Sequence, residues 1–271
     1  MAAQSIQLAV TVRDVRDADE LRACQALQRR AWGITEDGYV IPVATMAAAQ
    51  RVGGLVLGAF DESGRLVGFA FAFLGRLCGE LVLYSQLTGV DPDRQSVGIG
   101  RAIKLEQRRR ARAMGLESVV WAFDPLQASN AAFNLSVLGA TSRTYEVDLY
   151  GTRTDALNAG LATDRLLAEW PTHGEPPPSV EPWHGVQDLI ECVLTADGLR
   201  TPIASNPIRG ERVTIEIPKD LRAIKRTPEL AKTWQACVRN AFSTAFKSGY
   251  VAVGFSRADA LRPRYLLERR A

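Results

Sequence analysis

The sequence is poor in the residues that most often carry metal and nucleophile chemistry. Of its 271 residues only two are histidines, His173 and His184, and both stand in one proline-rich stretch. The four cysteines, Cys24, Cys78, Cys192 and Cys237, are scattered and form no Cys-x-x-Cys pair. Such a set predicts no metal site and no disulfide framework. It reads as reduced, mostly buried thiols in a cytoplasmic protein. No apolar run is long enough to span a bilayer, and the opening "MAAQSIQLAVTVRDVRDADELR" turns charged too early for a secretory signal. Charge of one sign is also lacking. Lysine and arginine number 33 against 30 acidic residues, a formal net charge of +3, too small to imply a nucleic-acid partner.

What is present is the mixture of a soluble globular chain, 46% apolar and 23% charged. Its length suits one large domain or two small ones. "IQLAVTVRDV" alternates as a strand does. Asp17 or Asp19 can cap the helix "ADELRACQALQRRAW". "PVATMAAAQRVGG" starts after a proline and stops at paired glycines, which predicts a second helix. Two apolar runs around "DESG" predict a hairpin. The strand "ELVLYSQLTGV", the loop "DPDRQSVGIG", the helix "RAIKLEQRRRARAMG" and the strand "SVVWAF" follow. A short helix "SNAAFNLSVLG" and the strand "TSRTYEVDLYG" complete the order β-α-α-β-β-β-α-β-α-β to residue 150. That order implies a mixed α/β fold with helices on the faces of a sheet. The clear break is "PTHGEPPPSVEPWHG", a proline-rich linker or extended wrap. Beyond it, "RVTIEIP", "YVAVGF" and "RPRYLLER" read as strands and "PELAKTWQACVRNAFSTAFKSG" as a helix. The chain is therefore read as a core over 1–150, a connecting segment over 151–185 and an α/β extension over 186–271.

The most informative stretch is "DRQSVGIGRAIKLEQRRRARAMG". A strand, a short turn with Gly98 and Gly100, and a helix make an anion cradle. Amides at a helix start have no partner within the helix and point at a bound anion, aided by the helix dipole. Glycine allows close approach because it has no Cβ. The stretch lacks the Gly-Lys-Ser/Thr of a P-loop. It also has Ile103 where a dinucleotide fingerprint wants a small residue, and it comes too late in the chain for that fingerprint. A tight turn without a ligand remains an alternative. At about 100° per residue, Arg101, Lys104, Arg108 and Arg112 share one helix face, and Ile99, Ala102, Ile103, Ala113 and Met114 the other. Glu106 and Arg110 are spaced to pair. The basic face is either a solvated surface or a steering surface for a polyphosphate.

"VDPDRQSVGIGRAI" resembles the acyl-CoA-binding motif Q/R-x-x-G-x-G/A of the GNAT acetyltransferase superfamily, with Gln95, Gly98 and Gly100 in its fixed positions. The element order matches that superfamily through about residue 150. "WAFDPL", "NAAFNLSVLGAT", "DRLLAEW" and "EIPKDLRAIK" resemble a bacterial subgroup with a C-terminal extension. The resemblance implies a mixed, mostly antiparallel sheet flanked by helices, with the α/β extension packed on it. It implies acetyl-CoA, or another acyl-CoA such as succinyl-CoA, held in the splay between the fourth and fifth strands. Gln95, Ser96, Val97, Gly98, Ile99, Gly100 and Arg101 would hold the pyrophosphate. Thr88, Gly89 and Val90 would pair with the pantetheine arm. Asn130 and Asn134 would approach the thiol end, although Asn130 can equally be a helix N-cap.

The activity implied is direct transfer of the acyl group to the nitrogen of a small amine. The amine must be neutral to attack, and an acid must protonate the leaving thiolate. The family often carries a tyrosine acid where this chain has Leu135. The subgroup tends to carry "HSHM" where this chain has Tyr84, Ser85, Gln86 and Leu87. Tyr84, Tyr145 and Tyr150 are the acids to consider, with Tyr84 best placed and the other two suited to strand packing. Asp124 is the first choice of base, with turn formation in "DPLQ" as its other reading; solvent is the alternative, and Glu80 stands at the far end of the strand. Loss of the usual groups also fits a non-catalytic acyl-CoA sensor or interaction module. Neither membrane nor nucleic acid is an expected partner. A homodimer is left open, as are the acceptor and the role of the extension, which is read as a subdomain closing one side of the substrate cleft.

Overall fold

The computed structural model describes residues 10–95, 98–151, 153, 160–174, 183, 185–195 and 198–270. They fall into two compact units. The first holds the chain to Trp121 together with Pro171–His173, and the second holds the rest from Ala122 onward. Packing thus divides the chain after Trp121, whereas composition breaks it at the proline-rich segment. Most of that segment, residues 175–182 and 184, lies outside the described residues.

In the first unit the strands are β1 (Val10–Asp14), β2 (Leu55–Asp61), β3 (Leu66–Leu77), β4 (Glu80–Val90) and β5 (Ser118–Phe123), side by side in that order. The first three pairings are antiparallel and β4 runs parallel to β5. Helices α1 (Ala18–Trp32), α2 (Val43–Arg51) and α3 (Ile99–Ala113) fill the connections. Asp17 caps α1 by accepting from the N–H groups of Asp19 and Glu20, and Gly33 ends it in the left-handed conformation. The "DESG" turn forms because Asp61 accepts from the backbone of Ser63 and Arg65.

The two faces of this sheet differ in side-chain size. Phe69 and Phe71 of β3 pack with Leu21, Cys24 and Leu27 of α1 and Met46 of α2. On the other face Ala59, Val67 and Ala70 meet Ile99 and Ile103 of α3. Small residues let α3 lie close to the strands. A Cβ on Gly68 would come within 2.9 Å of both Ile99 and Ile103 side chains, so a larger residue there would push α3's side chains away from the strand.

The second unit orders its strands β7 (Arg165–Pro171), β6 (Thr141–Glu146), β12 (Tyr250–Ser256), β13 (Arg264–Arg269), β11 (Arg212–Glu216) and β8 (Gln187–Asp188). All these pairings are antiparallel except β11 with β8. A separate ribbon joins β9 (Ile190–Leu194) to β10 (Arg200–Ser205). Helix α4 (Ala128–Ala131) runs into a wider π turn, Ala132–Val137, and α5 (Leu221–Lys225) precedes α6 (Pro228–Lys247). The long helix α6 buries Ala231, Trp234, Gln235, Val238, Ala241, Phe242 and Ala245, a stripe at i, i+3, i+4 spacing. Phe242 stacks on Tyr145 and meets Tyr265 edge-on, with ring centres 5.7 and 4.9 Å apart.

The element order expected to residue 150 is the one observed, and "RVTIEIP", the long helix, "YVAVGF" and "RPRYLLER" contain β11, α6, β12 and β13. Strands β7 to β10 were not expected. The cysteines correct one reading: Cys24 is buried, Cys192 and Cys237 are half-buried, and Cys78 is exposed at the turn between β3 and β4.

Candidate functional site

The strands β4 and β5 are joined over a short length. The pairs Leu83 with Val119 and Tyr84 with Val120 hold them together, and β4 then continues to Val90. A bulge contributes to the parting. Opposite β3, Phe71 faces Leu87 and Ala72 faces Ser85, so Gln86 is an extra residue on β4. Bulges bend a strand and increase its twist. No β4–β5 pair is described beyond Tyr84 with Val120, so the two strands part after Ser85 and Trp121 while β4 runs on to Val90.

The start of α3 stands beyond that open end in the chain. Asp91 follows β4 and caps the turn Pro92–Arg94 by accepting from the N–H of Asp93. Burial pushes its carboxyl up, but the Asp93 N–H, Arg30 and Arg65 hold it below the usual range. A cavity of about 500 Å³ lies beside these groups, lined also by Ala23, Ala26 and Asp93. Its two arginines already share the Asp91 carboxylate, so it offers little unspent positive charge. Gln95 is exposed and its side-chain amide donates to Val90 O at 3.5 Å. Gly98 is exposed and precedes α3 with φ of 90°, a conformation that favours glycine. Ile99 is buried as an anchor, Gly100 is half-exposed and Arg101 is exposed. Ser96 and Val97 lie outside the described residues. Thr88, Gly89 and Val90 occupy the end of β4, and a Cβ on Gly89 would come 2.8 Å from the Trp32 ring.

The basic face expected on α3 is not one surface. Arg101 and Arg112 are exposed, but Lys104 is buried between Ile103 and Gln107. Arg108 reaches back to donate to the carbonyls of Pro171 and His173 at 2.7 and 3.2 Å. Ala113 and Met114, expected on the apolar face, are exposed at the C-terminal end of α3, as its last residue and its cap. The pairing of Arg110 with Glu106 is present at 2.7 Å.

Lys104 belongs to a polar cluster that sequence reasoning missed. Its ammonium donates to Ser85 Oγ at 2.9 Å and lies 3.9 Å from the centre of the Trp121 ring. Ser85 in turn donates to Gln107 Oε1 at 3.1 Å. Ser85, Lys104 and Gln107 are all buried, and Gln107 Nε2 has no hydrogen-bond partner among the described residues. Burial pulls the Lys104 amine down to about 7. The available signal was spacing: Ile99, Ile103, Lys104, Gln107 and Ala111 form a buried stripe in which two members are polar.

The remaining sites divide by unit. Tyr84 is half-buried on β4, with its ring 5.3 Å from Phe73. Glu80 is exposed at the start of that strand. Asp124, Asn130, Asn134, Tyr145 and Tyr150 lie in the second unit. Asp124 accepts from Leu126 N–H at 2.8 Å, the expected turn contact, while burial pushes its carboxyl up. Asn130 sits inside α4, whose N-cap is Gln127, so its capping reading is corrected. Asn134 is buried in the π turn beside Leu135. Tyr145 donates to the buried Asp164 at 2.7 Å, which makes it a packing residue, and Tyr150 lies partly exposed under the Arg165 guanidinium.

Among the described residues no helix is long and apolar enough to cross a membrane. No protein-family model matches the chain, and no curated protein matches it. Solved structures of N-acetyltransferases are similar to it. An N-acetyltransferase from Staphylococcus aureus has 15% identity and a TM-score of 0.49, covering 60% of this chain and 99% of its own. A GNAT superfamily phosphinothricin acetyltransferase from Sinorhizobium meliloti, in complex with acetyl-CoA, has 21% identity and a TM-score of 0.48, covering 66% of this chain and 96% of its own.

Proposed function

We propose that this chain is an acyl-CoA-dependent N-acyltransferase of the GNAT superfamily, moving an acetyl or larger acyl group directly from CoA to a small primary amine. The observation that carries the reading is the gap between β4 and β5, with the glycine-bounded start of α3 beyond its open end. Three features of the chain support it. The amides of the first turn of α3 have no partner within the helix and suit a pyrophosphate. Gly98, exposed and with φ of 90°, lets a ligand approach the backbone closely. The gap also has a fitting length. From Val90 to Ser85 β4 spans about 17 Å at about 3.4 Å per residue. Twelve bonds separate the phosphate oxygen of CoA from its sulphur, about 14 Å in an extended chain.

In this reading Thr88, Gly89 and Val90 lend backbone groups to the pantetheine amides, and the acyl carbonyl lies near the Gln86 bulge. Positioning supplies much of the rate. The amine attacks once neutral, and Asp124 is the carboxylate we nominate as proton acceptor, its affinity for a proton raised by burial. Tyr84, half-exposed on β4, is nominated as a substrate contact or proton donor.

The test is release of CoA thiol from acetyl-CoA and succinyl-CoA over a panel of amino acids, polyamines and a lysine peptide. Release that depends on one class of amine, confirmed by mass of the acylated product, is expected. Thiol release no faster than hydrolysis for every amine would refute transfer. One observation favours a second reading, binding without transfer: Leu135 is buried where the family often carries a tyrosine. Acyl-CoA binding with no thiol release over the whole panel would favour it.

A further inference from the structure

Lys104 sits where β4 and β5 part. Its Nζ donates to Ser85, the first β4 residue beyond the last pair with β5. It lies over Trp121, the first β5 residue beyond that pair. One ammonium therefore touches both strands at the closed end of the gap. No carboxylate pairs with it among the described residues, and it is 3% exposed. A methionine would fill the same space without the cost of burying an amine. A buried lysine with no carboxylate partner and a lowered proton affinity is a candidate for proton chemistry.

We propose that Lys104 is the acid that protonates the sulphur as CoA leaves, a role that rests on the acyltransferase reading above. The length of the arm brings the sulphur to this point: a pantetheine of about 14 Å, anchored at the start of α3, ends near Ser85 and Gln86. The step balances as follows. The amine nitrogen forms a bond to the thioester carbon. The carbon–sulphur bond breaks and its electron pair stays on sulphur. A proton passes from Lys104 Nζ to that sulphur, leaving a neutral amine on Lys104 and a thiol on CoA. The proton lost by the acylated nitrogen goes to a base or solvent, and Lys104 is recharged from solvent before the next turnover.

The neighbours suit the task. Ser85 gives its own proton to Gln107, which turns a lone pair toward the ammonium and fixes its direction. Ser85 and Gln107 are thus positioning residues. Among the described residues the facing groups bring no carboxylate. From β4 come Ser85 and Thr88, from β5 Trp121, and from α3 the flanking charges are Arg101 and Arg108, one turn before and after. Burial brings the amine down to about 7, below the roughly 8.5 of an ordinary thiol, so transfer to a thiolate runs downhill at neutral pH.

The experiment compares Lys104→Met and Lys104→Arg with the parent chain, using the amine identified by the panel. Two donors are used, acetyl-CoA and an acetyl aryl thioester whose thiolate leaves without protonation. Lys104→Met is expected to bind acetyl-CoA as the parent does by calorimetry, yet to lose about 10²–10⁴-fold in kcat with acetyl-CoA. With the aryl thioester it should match the parent. Lys104→Arg should also be slow with acetyl-CoA, since a guanidinium holds its proton too tightly to donate it. The falling alkaline limb of the parent's kcat should vanish in both variants. Unchanged kcat in Lys104→Met, or an equal loss with both donors, would overturn the proposal while leaving the acyltransferase reading intact. Absence of acetyl-CoA binding to the parent chain would remove both.

Discussion

The buried lysine makes a thermodynamic prediction that needs no substrate. Lys104 is ionised in the unfolded chain up to its ordinary value of 10.5, but in the folded chain only up to about 7. Between those values the unfolded state binds more protons than the folded one, so stability rises with pH across that window. Below about 7 the folded chain carries the full cost of the buried charge. At about 1.4 kcal/mol per tenfold, the displacement corresponds to roughly 4 kcal/mol at neutral pH. Lys104→Met removes that cost but also removes the bond to Ser85 and the contact with Trp121, together about 1–2 kcal/mol. The variant should therefore be more stable than the parent by about 2–3 kcal/mol near pH 7, with the gain fading as pH approaches 10. Urea unfolding followed by tryptophan fluorescence at about pH 6.5, 8 and 9.5 measures the difference. Parallel dependence on pH in the two proteins would refute the reasoning, because it would mean that Lys104 keeps its ordinary proton affinity in the folded state.

Other consequences follow from single contacts. Asp164→Ala leaves Arg239, Tyr145 and the Asp148 N–H without their shared acceptor, and should lower stability by about 2–4 kcal/mol in urea, discounted because Arg239 is one-third exposed; a loss under about 1 kcal/mol would show that the cluster is hydrated. In Gly54→Ala the new Cβ would lie 2.8 Å from the carbonyl oxygens of both Ala49 and Ala72, where only backbone can move, so a loss of about 1–3 kcal/mol is expected. Equal stability of that variant and the parent would contradict the close approach of α2 to β3. Thiol labelling of the native protein should modify Cys78 first and Cys24 last, since Cys24 is buried with its thiol pushed up to about 12. Early modification of Cys24, read by peptide mass, would contradict the packing of α1.

Much of the fold was legible because its elements carry local signals. Asp17, Gly33 and the "DESG" turn mark their boundaries by side-chain and backbone chemistry that needs no tertiary context. Strand β7 was missed because "RLLAEWP" is nearly all buried and shows no alternation, and because it lies inside the segment 151–185 that reads as a connection and runs straight into the proline-rich stretch. Strands β9 and β10 form a two-stranded ribbon whose pattern is weak, with exposed Val193, Leu194 and Ile203. The glycines at 98 and 100 mark the start of α3 as the sequence suggests, because Gly98 takes a φ of 90° that favours a residue without a Cβ. Lys104 could not be read in this way. A lysine is assigned to the surface by default, and only the packing of α3 on β4 shows its amine turned inward to Ser85. The side of the helix that looked like a charged face is partly a buried polar seam, and that difference moves Lys104 from steering phosphate to handling a proton.

The measurement that tests the central claim most directly is a calorimetric titration of the full chain with acetyl-CoA, run beside Gly98→Trp. The account predicts binding to one site in the micromolar range by the parent chain, abolished by an indole at the start of α3. Because Gly98 has φ of 90°, the variant should unfold about 1–3 kcal/mol more easily than the parent and still be folded during the titration. No heat of binding from a folded parent protein, with acetyl-CoA or succinyl-CoA, would contradict it. Equal binding by parent and variant would place the ligand away from the start of α3.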